Sequence, residues 1–511
     1  MSFISLQYAL FFTAIFVVFW ALRRRHLERT VALVVVSAWF YTRFDYGPSH
    51  PRLGWTYLAI LFCSAVIDFG LSQAIHGVDT TPRALSDRTW GERRRKRLLL
   101  VSIVYNLGVL AWFKYTNFGL ETARHLLEAV GVHVAPRTLQ IVLPIGISFF
   151  TFETMSYTID VYRRELVPPR GRGEGLDALR SWSGAFLEYL LFISFFPHLV
   201  AGPIIRPKDM LPQLRRDPEL NEDRASEGLF LIAAGLLKKV VIADYLALNH
   251  VDRVFDRPEW FSAPEALAAV YGYALQIYCD FSGYTDIALG SALLLGIVLP
   301  KNFDSPYKSR SLQEFWHRWH ISLSSWLRDY LYIPLGGSHG GPWKTYRNLM
   351  ITMLLGGLWH GASWNFVVWG ALHGAALSVT RMWQRRRERP SRDGERPATR
   401  PTVEILQGVL TFHYVCLAWI FFRADGFARA RMMLRQIAFG GWHVTNLSRG
   451  VVLILALGFV THLLPDGWYE RARRGFVSLP APAQGALMFL VALVVKTVAS
   501  TQVVPFVYFQ F

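Results

Sequence analysis

Three stretches of this chain hold the residues that could do chemistry. Tyr278-Cys279-Asp280-Phe281-Ser282-Gly283-Tyr284-Thr285-Asp286 comes first, and Glu314-Phe315-Trp316-His317-Arg318-Trp319-His320-Ile321-Ser322-Leu323-Ser324 second. Leu358-Trp359-His360-Gly361-Ala362-Ser363-Trp364 is the third. Carboxylates, imidazoles and hydroxyls sit there among apolar and aromatic neighbours. Within a membrane each such group is costly and needs a partner, a water-filled cavity or a function. An imidazole titrating near neutrality can take a proton from a hydroxyl and return it. His320 lies in a segment flanked by Trp316, Trp319 and Trp326. His360 follows Trp359 about 40 residues later, and pairing two such segments in one bundle is physically ordinary. Two roles stand for each histidine: proton transfer, or packing with a hydrogen bond to a nearby carbonyl.

The neighbouring polar residues have competing readings too. Asp280 and Asp286 flank Ser282-Gly283, where they can orient a histidine or cap a helix start. Ser322 and the rings of Trp319 and Trp359 would help shape the site. Glu314, His317 and His320 follow an i, i+3, i+6 spacing that suits half of a metal site. No second cluster of fitting spacing and no H-E-x-x-H pattern accompanies it, so no metal is expected. Gly336-Gly337-Ser338-His339-Gly340 matches the G-x-S-x-G nucleophile elbow, which requires a strand before the serine and a helix after it. Running into Gly341-Pro342, it reads instead as a loop. Cys63, Cys279 and Cys416 are far apart in apolar runs and read as packed thiols rather than a disulfide or zinc framework.

The elements that must position these groups follow from composition. Of 511 residues, 52% are hydrophobic and 18% charged, less charge than a soluble chain of this length carries. Apolar runs alternate with short polar loops, and a crossing helix needs about 20 mostly apolar residues. The expected class is all-α: a polytopic membrane protein with roughly ten to twelve spans plus re-entrant and interfacial helices. It is expected to form one domain over residues 1–511, with its core motifs in 278–374 and a basic cytoplasmic loop at about 381–400.

The net charge of +17 is concentrated in arginine clusters at 23–25, 93–97, 381–400 and 471–474. That distribution fits positively charged cytoplasmic loops. It forms no basic stripe interleaved with stacking aromatics, so nucleic acid is not an expected partner. Residues 3–22 lack the features of a cleaved signal and read as a first span starting outside. Further runs lie at 31–41, 55–75, 98–120, 139–162, 186–205, 228–248, 348–380, 405–422, 451–464 and 486–500. Pro144 and Gly146 interrupt one of them, and Pro197 and Gly202-Pro203 break another. Lys238 and Lys239 are expected to snorkel from the 228–248 run. No repeat or inter-domain linker is visible.

These motifs resemble the membrane-bound O-acyltransferase family, in particular its bacterial alginate O-acetyltransferase-like branch. The likeness lies in Asp280 to Asp286, in the run from Arg318 through Trp326-Leu327-Arg328-Asp329 to Gly337, and in Leu358-Trp359-His360-Gly361. Pro197-His198, Ala201-Gly202-Pro203-Ile204 and the opening Phe3 to Phe12 share it. His317 departs from the arginine usual there. The resemblance implies a membrane funnel around two paired histidines, with His320 catalytic and His360 its companion. It implies no bound cofactor, acetyl-CoA or another acyl-CoA as donor, and residence in the bacterial inner membrane, in contact with membrane lipid. It further implies transfer towards an exported polysaccharide with a periplasmic or surface partner protein. Alginate, cellulose, peptidoglycan and capsule all fit.

The tail Val503-Val504-Pro505-Phe506-Val507-Tyr508-Phe509-Gln510-Phe511 has two readings. Phe506, Phe509 and Phe511 can form an interfacial anchor with Tyr508 in the aromatic belt. The tail also resembles a C-terminal motif shared by this branch and by the small partner of the D-alanyl teichoic-acid system, where the tyrosine is proposed to relay the acyl group. A rival for the whole chain is a transporter or flippase using the same buried groups as a path, although the internal repeat common in transporters is missing.

Overall fold

The computed structural model describes residues 3–43, 53–135, 138–168, 176–200, 202–219, 221–387, 401–499, 504, 506 and 507. Among them helices are present and strands are not. The chain divides into two compact units.

The first unit comprises Met1–Leu229 and Ile287–Pro300. The helix Ile147–Tyr162 lies at its centre and is buried from Ile147 to Val161. The helices Leu53–Val78 and Arg88–Ala129 pack against it through a polar network rather than through apolar contact alone. Asp68 accepts hydrogen bonds from Ser102 and from Asn106 Nδ2 (2.7 Å), and Asn106 Oδ1 accepts one from Thr154 Oγ1 at 3.0 Å. In a low-dielectric interior such bonds are strong and their loss is costly, so this network sets the register of all three helices. Arg95 is also fully buried; it reaches Asp79 and the carbonyls of Val161 and Tyr162. The basic cluster at 93–97 is therefore part of a 42-residue helix rather than a loop.

Other expectations for this unit shift in the same way. The run at 139–162 becomes helical only from Ile147, after Pro144 and Gly146. The run at 186–205 breaks as its prolines suggest, into Leu176–Ser194 and the short Phe196–Leu199. Glu153 anchors the broken piece, with the His198 ring at 3.3 Å and the Ile205 amide donating at 3.1 Å.

The second unit comprises Phe230–Asp286 and Lys301–Phe511. Its first element continues from the Glu222–Leu236 helix into π-helical turns, Leu237–Asp244 and Ala247–Val251. The helix Ala263–Leu294 follows. Two short helices, Leu312–Arg318 and Ile321–Leu327, meet at Trp319-His320. The long apolar run at 348–380 is a helical hairpin, Pro342–His360 and Trp364–Arg387. Its turn depends on glycine: a Cβ on Gly361 would stand 2.0 Å from the Phe366 ring. Pro401–Arg423, Gly426–Phe439, Arg449–Leu463, Asp466–Val477 and Ala481–Val498 complete the unit. Arg471 to Arg474 lie in an amphipathic helix turned by 93° from its predecessor, not in the loop expected from sequence. Trp319, Trp369 and Trp419 are fully buried at the core, with ring centres 5.0 Å apart for Trp319 and Trp419 and 6.1 Å apart for Trp369 and Trp419.

Among the described residues, four helices are long and apolar enough to cross a membrane, or five if the bent pair is one span. This is fewer than the ten to twelve expected. Leu6–Ala21 is apolar but only 16 residues long, and several other runs are divided by proline, by π-helical turns or by the hairpin at Gly361. The part of the basic loop at 388–400 lies outside the described residues.

Candidate active site

His320 is built into the turn between two short helices, with none of its surface exposed. Its backbone is left-handed, with φ of 44°, and it caps the Ile321–Leu327 helix. A non-glycine residue in that region is uncommon, and such strain persists only where surrounding contacts over-determine it. Asn302 supplies those contacts. Its carbonyl accepts from the Ile321 amide at 2.9 Å. Its side-chain Oδ1 accepts from the Ser322 amide at 3.1 Å and from Ser322 Oγ at 2.9 Å. The same oxygen lies 3.1 Å from His320 Nδ1.

This geometry determines the tautomer. A backbone N–H can only donate, so the Asn302 atom facing Ser322 is the oxygen and not the nitrogen of the amide. An oxygen already accepting from Ser322 requires a donor on the imidazole, so Nδ1 carries the hydrogen and Nε2 is the basic nitrogen.

The walls around the imidazole are aromatic. Phe281 meets it edge-on with ring centres 4.7 Å apart, and Trp359 stands 6.1 Å away. His360 ends the Pro342–His360 helix and is 3% exposed. Its ring packs on Trp359, Trp369 and Phe422, at 5.0, 5.0 and 5.3 Å. Trp359 thus touches both imidazoles, and the two histidines named from sequence belong to one cluster. Trp319 packs instead into the tryptophan core with Phe303 and Phe315.

A cavity of about 450 Å³ adjoins the helix that His320 starts. Ile321, Trp316, Leu349 and Met353 line its apolar part; Ser324, Arg328, Arg381 and His317 also line it. Glu314 turns to Arg318, accepting from Nε at 3.1 Å. The glycine-rich stretch around Ser338 is a turn, with positive φ at Gly336, Gly337, Gly340 and Gly341.

Asp280 and Asp286 lie within the Ala263–Leu294 helix and pair with consecutive lysines of the π-helical stretch. Lys238 Nζ is 2.6 Å from Asp286, and Lys239 Nζ is 2.6 Å from Asp280 and 2.6 Å from Asp244. Lys239 is fully buried, so it does not snorkel. Gly283 permits this packing, because a Cβ there would stand 2.8 Å from the Gly235 carbonyl oxygen and 3.1 Å from the Lys239 nitrogen. Ser282 is buried in the same helix. In the tail, the Val507 amide donates to Asp280 Oδ2 at 2.7 Å. Phe506 is 1% exposed, packed on Phe281 and Tyr284, and so is not at an interface. Tyr508, Phe509 and Phe511 lie outside the described residues.

Sequence reasoning missed Asn302 and the role of Lys239. Asn302 sits in Pro300-Lys301-Asn302-Phe303, a stretch with no recognisable pattern, and its partners lie 18 and 20 residues away. Lys239 carried a signal, an ammonium inside an apolar run, but the sequence does not pair it with Asp280.

The all-helical fold, with helices long and apolar enough to cross a membrane, holds a buried, oriented imidazole among aromatic walls. Residues 176–422 match the membrane-bound O-acyltransferase family. The chain is 40% identical over 365 residues to the probable alginate O-acetylase AlgI of Azotobacter vinelandii, covering 71% of this chain and 67% of that protein. It is 37% identical to the peptidoglycan O-acetyltransferase of Helicobacter pylori, covering 82% and 75%. It is 30% identical to the teichoic acid D-alanyltransferase of Streptococcus thermophilus, covering 46% and 61%. The chain belongs to the membrane-bound O-acyltransferase family. It is a multi-pass membrane O-acyltransferase.

Proposed function

We propose that this enzyme takes acetyl from acetyl-CoA on the cytoplasmic side of the bacterial inner membrane and passes it outward for O-acetylation of an exported polysaccharide. A periplasmic or surface partner completes the transfer. The names of the alginate and peptidoglycan relatives support a polysaccharide acceptor. The observation that carries the mechanism is the Ser322–Asn302–His320 arrangement, which leaves Nε2 as the base. His320 Nε2 takes the proton of the acceptor hydroxyl as that oxygen attacks the thioester carbonyl carbon. The tetrahedral intermediate collapses, the carbon–sulfur bond breaks, and the imidazolium returns its proton to the departing thiolate.

Trp359 and His360 shape the reacting space, and the adjoining cavity takes the thioester arm. Its apolar lining suits the acyl chain and its arginines suit the anionic end of the donor. Asp280 and Asp286 hold the helix that carries Phe281 against His320.

The test is release of free CoA from acetyl-CoA by purified protein in detergent, with polysaccharide and partner present. His320→Ala is expected to lose roughly two to four orders of magnitude in rate while remaining folded, and His360→Ala to lose less. Near-normal release by folded His320→Ala overturns the base. No release by the unaltered enzyme overturns the donor.

A further inference from the structure

The ion pairs around Lys239 do more than hold two helices together. An ammonium has three donors and no acceptor, and burying it is costly unless every donor is satisfied. Lys239 is fully buried. Asp244 and Asp280 each stand 2.6 Å from Nζ, and the carbonyl oxygen of Val504 stands 3.4 Å away. Two partners come from the helices and the third from the C-terminal segment. Asp280 repeats the arrangement: Oδ1 faces Lys239, while Oδ2 accepts the Val507 amide at 2.7 Å. The segment is thus held at both ends of a four-residue stretch by its backbone. Between those ends Phe506 lies against Phe281 at 5.5 Å and Tyr284 at 4.8 Å. Phe281 in turn lies 4.7 Å from the His320 ring.

We propose that Lys239, braced by Asp244 and Asp280, is a positioning residue that fastens the C-terminal segment against the wall of the active site. The segment closes that side of the His320 cluster and excludes water from it. Because the clamp reads backbone groups, it fixes the position of the segment whatever side chains stand at 504 and 507, and the Phe506 ring sets the register. The polarity of the clamp matches this task. A carboxylate pair with one lysine keeps an acceptor for an incoming amide, and the lysine keeps a donor for an incoming carbonyl. The effect of the clamp on turnover rests on the function proposed above; the placement of the segment does not.

The reporter is a thiol at the buried position Val504, Val504→Cys, with the exposed Cys63 removed by Cys63→Ala. Reaction with a maleimide is followed in detergent-purified full-length enzyme, beside CoA release. The unaltered clamp is expected to protect the thiol. Lys239→Met is expected to raise its labelling rate about tenfold or more and to lower turnover, as the loss of a buried polar partner requires. Val507→Pro removes the amide that Asp280 accepts, with φ fixed at 507, and leaves the side chains of the lysine cluster unaltered. It is expected to raise labelling as well, and it decides the matter alone if Lys239→Met does not accumulate.

Protection retained in Val507→Pro, or in folded Lys239→Met, overturns the clamp. His320→Ala separates the two proposals, since it is expected to leave the thiol protected while abolishing CoA release. An active His320→Ala with a Lys239→Met that exposes the thiol would remove the base and keep the clamp. An inactive His320→Ala with a protected thiol in Lys239→Met would do the reverse.

Discussion

At the scale of single residues, the carboxamide of Asn302 determines what His320 can do. One oxygen serves the Ser322 amide, the Ser322 hydroxyl and the imidazole. The side chain therefore sets both the ring orientation and which nitrogen is basic. Asn302→Ala is expected to lower kcat by roughly 10- to 100-fold with KM little changed, as loss of an outer partner of a reacting group does. Asn302→Asp keeps an acceptor for Nδ1–H and for Ser322, so it should recover much of that loss. Steady-state CoA release by the two variants checks the pair. Equal impairment of both would mean that Asn302 acts only by packing. His320, His360 and the Asp280 motif were legible in the sequence because ionisable groups stand out in apolar runs. Asn302 was not, because a carboxamide in a loop has no periodicity to betray burial.

At the scale of elements, two helix pairings invite measurement. The Ala263–Leu294 helix approaches the turn before Lys239 so closely that a Cβ on Gly283 would stand 2.8 Å from the Gly235 carbonyl. Gly283→Ala is expected to cost about 1–3 kcal/mol of stability, since backbone must yield, and to weaken the Lys239–Asp280 pair. Gly70→Ala is the control, because nothing lies within 4 Å of its Cβ position and alanine is the better helix former. Thermal unfolding of both variants in detergent should separate them clearly.

The second pairing is at Asp79, in the turn after Leu53–Val78. Partial burial pushes its carboxyl up, but hydrogen bonds and charge from Arg95 and Arg164 outweigh this and hold it below the usual carboxylate range. A carboxyl depressed in the folded state stabilises fully above its unfolded value, about 4, and the contribution is lost as pH falls through the folded value. Stability should therefore drop below about pH 4, and Asp79→Asn should flatten that part of the profile. The apolar runs at 3–22, 55–75, 405–422 and 451–464 match helices within a few residues, whereas others are longer, shorter or split, and basic clusters expected in loops are helical. Arg93 to Arg97 and Arg471 to Arg474 are helical, with Arg95 itself buried in the first cluster, because charge alone does not end a helix.

At the scale of the whole molecule, the direction of transfer depends on where the cavity beside His320 meets water. The helix Trp364–Arg387 links the two, since Arg381 lines that cavity and Arg385 lies one turn further on. Arg385 also donates to Thr345 at 3.1 Å, which ties the end of this helix to the start of its hairpin partner. Arginine at a helix end is retained on the cytoplasmic side far more often than it is exported. CoA thioesters are made there and cannot cross a bilayer unaided, so the proposed acetyl-CoA donor requires the cavity to open on that face. Arg386 is exposed and suits a probe of sidedness. In cells made permeable only at the outer membrane, Arg386→Cys is expected to resist a membrane-impermeant maleimide and to react once the inner membrane is broken. Cys63→Ala again removes the exposed native thiol. Labelling before lysis would place the arginines outside. The cavity could not then draw on cytoplasmic acetyl-CoA, and the acyl group would have to enter from a donor already exported.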